Sequence, residues 1–143
     1  MTPTPPDRFA RRTLFLCALT AAGELGLVLS VIDWNAFTRF DGPMLLFIAG
    51  PPVFLALIAW RRRAHPTRAR TFFRFAVGVS AFGVFALAAH SVQFHTNPRV
   101  RDGVDVVPSL VALVQWVAVL IVWIATTLRE SAEKSSAGSS SSS

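Results

Sequence analysis

Four stretches of this chain run for eighteen residues or more with at most one formal charge, and that pattern leaves few folds open. They are Thr13 to Ile32, twenty residues broken only by Glu24; Pro43 to Trp60, eighteen residues; Phe75 to Pro98, twenty-four with His90 and His95 counted neutral; and Val106 to Leu128, twenty-three. A hydrocarbon core of about 30 Å needs about 20 helical residues at 1.5 Å each, so each stretch is long enough to cross. Lipid offers a backbone no hydrogen bonds, so a spanning segment is a helix or a closed-barrel strand. Runs of this length without two-residue alternation are not barrel strands. The expected fold is all-α, a four-span transmembrane helical bundle with spans at about 13–32, 43–60, 72–94 and 106–128. Segment 1–12 precedes it, and a serine-rich tail, 131–143, has nothing to bury and is expected to be disordered.

Composition points the same way. Of the 143 residues 52% are apolar and only 15% charged, with a mean hydropathy of +0.50, against about 25% charged in a soluble domain. The net charge of +6 raises the question of nucleic acid, but its placement answers otherwise. Eleven basic residues fall in the N-terminal segment (Arg8, Arg11, Arg12), the segment between spans two and three (Arg61, Arg62, Arg63, Arg68, Arg70, Arg74) and the tail (Arg129, Lys134). Only Arg39, Arg99 and Arg101 fall in the other two loops. The positive-inside rule then places both termini in the cytoplasm, in an up-down-up-down arrangement suited to a bacterial inner (plasma) membrane. The expected partners are membrane lipids, with Arg61, Arg62, Arg63, Arg68, Arg70 and Arg74 meeting anionic headgroups or a protein partner, and possible oligomers of the chain itself. No nucleic-acid partner is expected.

Other features set smaller bounds. Cys17 is the single cysteine, which excludes an intramolecular disulfide and a dithiol mechanism. "RFARRTLFLCALTAAGE" has the basic start and apolar run of a signal peptide, but the apolar run continues through "LGLVLSVI", so the first span is expected to be retained. "MTPTPPD" is too proline-rich to stay helical for long, and His65-Pro66 interrupts any helix joining spans two and three. Asn97-Pro98 and Asp102-Gly103 read as turns. Ala22 with Gly26, Ala76 with Ser80, and Gly78 and Gly83 are small residues that let helix backbones approach closely.

Glu24 is the residue that asks for an explanation. A carboxylate at mid-membrane costs about 2.5–3.5 kcal/mol on insertion scales, so it is expected to face protein or water, and in its neutral form. Counting about 1.5 Å per residue inward from each span end puts Gln115, Gly50-Pro51-Pro52, Ser80 and Gly83 near the depth of Glu24. Pro51 and Pro52 lack amide hydrogens, so the Phe47 and Ile48 carbonyls lose their helical donors. A protonated Glu24 and the Gln115 amide are candidates to supply donors to these carbonyls or to each other. Two readings of this intramembrane polar centre (Glu24, Gln115, Pro51, Pro52, Ser80) follow: a clasp that sets helix register, or a proton- or cation-coupled site.

The segment "GELGLVLSVIDWNAFTRF" resembles the corresponding part of the small multidrug transporters, which also have four short spans and one glutamate in the first. The resemblance implies proton-for-cation exchange at Glu24 and covers about 20 residues. The later spans depart from it, lacking the tryptophan- and glycine-patterned segments of that family. The strong charge bias departs as well.

The remaining candidates are weaker. His90 and His95 lie at the outer end of span three, near Asp102 and Asp105, but a five-residue spacing turns them to different helix faces, and a metal site needs three or four such ligands. No metal or cofactor is therefore expected. Trp116 and Trp123, seven apart, share a face and are expected to pack against another helix. The chain holds no phosphate-binding glycine loop, no catalytic triad and no paired acids suited to hydrolysis. The expectation is a non-enzymatic subunit, anchor or accessory factor of a membrane complex. The alternatives are a small transporter or channel protomer using Glu24, and, less favoured, a membrane-embedded enzyme or cofactor subunit using His90 and His95.

Overall fold

The structure, a computed structural model, describes residues 5–32, 41–61, 66–101 and 106–139. Among these every element is helical: α1 (Pro5–Leu29), α2 (Asp41–Arg61), α3 (Pro66–Thr96), the single turn α4 (Pro98–Arg101) and α5 (Val107–Ser139). Four of them, α1, α2, α3 and α5, contain segments long and apolar enough to cross a membrane: Arg8–Leu29, Gly42–Arg61, Ala69–Thr96 and Val107–Arg129. The chain is a helical membrane protein.

Local chemistry sets the helix ends. Prolines open α1, α3 and α4, where a missing N–H is one the first turn leaves unbonded anyway. That is why α1 begins at Pro5, eight residues before the expected start, inside the segment judged too proline-rich for helix. Helix α1 closes where the Ser30 amide bonds the Gly26 carbonyl at 3.1 Å and the Ser30 hydroxyl donates to the Leu27 carbonyl at 2.6 Å. At the far end of α3, Asn97 breaks the helix and its side-chain oxygen accepts the Arg99 amide at 3.1 Å, capping α4. The turn expected at Asp102-Gly103 lies outside the described residues. Helix α5 differs most from expectation, because its backbone stays helical to Ser139 where a disordered tail was expected from residue 131. Once a helix is nucleated each further residue adds a hydrogen bond at little cost, and "RESAEK" contains good helix formers. Residues 140–143 lie outside the described residues.

Helices α1 and α5 each pack against both α2 and α3, and α2 touches α3. The interior divides into two apolar clusters. One joins Cys17, Leu55, Ile58, Phe72, Ala76 and Val119. The other joins Val28, Ile48, Leu87, Val111 and Ala112. On each helix polar or irregular positions separate the residues of the first cluster from those of the second: Thr20 and Glu24 on α1, Pro51-Pro52 on α2, Ser80 and Gly83 on α3, and Gln115 on α5. Beyond the second cluster, the Ser30 and Ser91 hydroxyls meet at 3.1 Å and tie the end of α1 to α3.

The outward faces carry large apolar side chains, among them Phe15, Leu46, Phe85, Ile121 and Leu128, with Phe85 81% exposed. Water would make such a surface an aggregation site, whereas lipid covers it without cost. The small residues sort between the two environments. Ala76, Ser80 and Gly83 are buried, but Ala22, Gly26 and Gly78 face outward, so the spacing of Ala22 and Gly26 does not mark a helix contact.

Candidate functional site: a buried acid–amide clasp

Glu24 is 0% exposed and Gln115 is 1% exposed. The Gln115 Nε2 donates to Glu24 Oε1 at 2.6 Å and to the Val79 carbonyl at 3.3 Å. One side chain of α5 thereby bonds both α1 and α3. The space in which the acid and amide meet exists because α3 has glycine there. A Cβ at Gly83 would overlap both Glu24 Oε1 and Gln115 Nε2. Two atoms of the pair, Glu24 Oε2 and Gln115 Oε1, are buried with no hydrogen-bond partner among the described residues. Both are oxygens, and in the neutral carboxyl one Glu24 oxygen carries a proton of its own, so the centre keeps unused hydrogen-bonding capacity on both side chains.

The proline break on α2 is met differently from expectation. Pro51 leaves the Phe47 carbonyl without its helical donor, and neither Glu24 nor Gln115 fills the gap. The indole Nε1 of Trp116 donates to it at 3.0 Å. Gly50 makes this possible, since a Cβ at that position would overlap the Trp116 ring. The ring also stacks on Phe47, with centroids 6.4 Å apart, and touches Phe54 at 5.8 Å. Phe54 in turn meets Trp123 edge-on at 6.4 Å. Trp116 and Trp123 do share a face, and that face lies on α2. The sequence reading missed the hydrogen-bonding role of Trp116. The available signal was its position next to Gln115, at the depth of the Gly50-Pro51-Pro52 break.

Pro51 and Pro52 are both buried. Ser80 is buried too, one turn before Gly83 on α3, but the Gln115 amide bonds Val79 and Glu24 instead. The arginines are not part of this centre. Arg61 at the end of α2, and Arg70 and Arg74 in the first three turns of α3, are exposed. Arg62 and Arg63 lie outside the described residues, as does the side chain of Arg68. His90 is buried and His95 exposed, so the two do not converge, and the described residues contain no group of three or more potential metal ligands. Asp102 and Asp105 lie outside the described residues.

No protein-family model, no curated protein and no solved structure matches this chain.

Chemically, the centre can hold an acid out of lipid, couple three helices and accept one further donor. Substituting Gly83→Ala should destabilise the folded protein by about 1–3 kcal/mol through overpacking, while Gly78→Ala, whose Cβ meets nothing within 4 Å, should not. Unfolding titrations in mixed micelles would compare the two, and equal losses would show that Gly83 has no special seat. Trp116→Phe keeps the ring but strands the Phe47 carbonyl, and should cost about 1–3 kcal/mol. Adding Pro51→Ala, which restores the helical donor, should recover much of that loss.

Proposed function

We propose that this chain is a non-enzymatic membrane subunit, anchor or accessory factor, a four-helix module whose polar centre serves to lock helix register. The reading places the helices up-down-up-down with both termini in the cytoplasm, in a bacterial inner membrane. Arg61, Arg70 and Arg74 then lie at the inner surface beside anionic headgroups. The observation that carries it is the sealing of Glu24: the acid has no exposed surface and is held by an amide from another helix at 2.6 Å. A hydrogen bond of this type between membrane helices contributes about 0.6–2 kcal/mol and fixes which residues face each other. The chemistry available to the chain is thereby spent on assembly, and its apolar outer faces are left for lipid or for partner helices.

Purification from the native membrane in mild detergent tests this directly. The expected result is a stable complex with other membrane proteins, and isolation as a lone monomer under the same conditions would overturn the subunit assignment.

A second reading has its own support. Glu24 Oε2 and Gln115 Oε1 are both oxygens without a partner in the same centre, as an ionisable site that alternately takes up and loses a proton or a cation would have. In that case the chain is a small transporter or channel protomer. Glu24→Gln would abolish proton-coupled flux in proteoliposomes while the protein still inserts and folds. A variant that only lowers stability, in a protein that never supported flux, removes the transporter reading and leaves the clasp.

A further inference from the structure

A groove between α3 and α5 opens on the outer surface and ends at the buried centre. Its volume is about 370 Å³, and its walls include Arg74, Gly78 and Phe82 of α3 and Val114, Gln115 and Ala118 of α5. Arg74 and Phe82 are eight residues apart, about 12 Å of helix rise. Apolar walls over that length, with a cationic side chain at one end, match a hydrocarbon chain that carries an anionic head. Two of its lining residues, Gly78 and Ala118, are small, and larger side chains at those positions would narrow it.

The two ends of the groove differ in chemistry. Phe82 and Gln115 mark its inner end, and the exposed guanidinium of Arg74 marks the other. Arg70, also exposed, stands one turn further along the same face. A guanidinium is a fork of donors matched to phosphate oxygens. A net anionic phosphate head with a hydrocarbon chain behind it meets the cationic end with its charge and the apolar walls with its tail, whereas in a zwitterionic head the lipid's own ammonium offsets the attraction of the same phosphate.

We propose that the α3–α5 groove is a binding site for one anionic phospholipid, its phosphate on Arg74 with Arg70 beside it and one acyl chain lying over Gly78 toward Phe82. The site rests on the placement of the four helices in a membrane and is independent of whether the chain is a subunit or a transporter. It makes the lipid a structural neighbour of the clasp, since the chain end lies against Gln115, whose amide holds Glu24.

Site-specific capture tests the proposal on the full-length protein in nanodiscs of equimolar phosphatidylglycerol and phosphatidylcholine. A photoreactive benzoylphenylalanine replaces Phe82, and captured lipid is identified by mass spectrometry. Anionic lipid is expected to exceed zwitterionic lipid about fivefold, the effect of one basic residue near a charged headgroup. Arg74→Gln should bring the ratio to near one with the yield retained. Gly78→Leu, at a position where an added Cβ meets nothing within 4 Å, should fill the groove and lower the yield of both lipids. A ratio near one in the unsubstituted protein, a ratio unaffected by Arg74→Gln, or capture of a second protein chain in place of lipid would each overturn the site. Absence of any lipid capture, with the protein lost from the nanodisc, would instead count against the membrane placement itself.

Discussion

The acid–amide hydrogen bond between Glu24 and Gln115 is the constraint around which the helices are arranged. In a bilayer the helix exteriors gain nothing from hiding apolar surface from water, so association depends on close packing and on polar contacts that lipid cannot replace. A carboxyl group inside the hydrocarbon layer makes that dependence acute. It must find a donor within the protein, and Gln115 supplies one at 2.6 Å. Because α1 and α5 each pack against both middle helices, the contact runs through the centre of the bundle, where Gly83 of α3 leaves the space for it. An apolar cluster lies on each side of this polar layer, so a shift of any one helix by a turn would set Glu24 against hydrocarbon.

The break in α2 shows a second version of the same economy. Two consecutive prolines would leave unbonded carbonyls in a medium without water. The chain keeps α2 continuous from Asp41 to Arg61 and draws on the neighbouring helix for a donor to one of these carbonyls, that of Phe47. Gly50 lets the Trp116 indole lie directly on the α2 backbone, and the Phe47 and Phe54 rings hold it there. Gln115 and Trp116 are adjacent on α5 and point to different partners, one inward to Glu24 and Val79 and the other to α2. A two-residue stretch of α5 therefore sets its contacts with all three other spanning helices.

These contacts also bear on how function is assigned. The polar groups at mid-membrane are largely absorbed by assembly, and the unpartnered atoms Glu24 Oε2 and Gln115 Oε1 are where an ionisable role would have to act. Gln115 also lines the groove between α3 and α5, so a molecule bound there would touch the side chain that holds Glu24.

Much of this was legible along the chain. Four long uncharged runs require helices, because a backbone in hydrocarbon must bond to itself, and counting 1.5 Å per residue brings Glu24, Gln115 and the proline pair to one depth. Depth along a helix is a one-dimensional quantity, so sequence alone determines it. Rotation about the helix axis and the choice of neighbour are not, and there the tertiary structure decided. It turned Gly83 inward to seat the clasp while leaving Gly26 and Gly78 outside, and it assigned the Phe47 carbonyl to Trp116 in place of Glu24 or Gln115. An indole one position along the helix points about 100° away from the amide, and only packed helices determine which of the two meets the break.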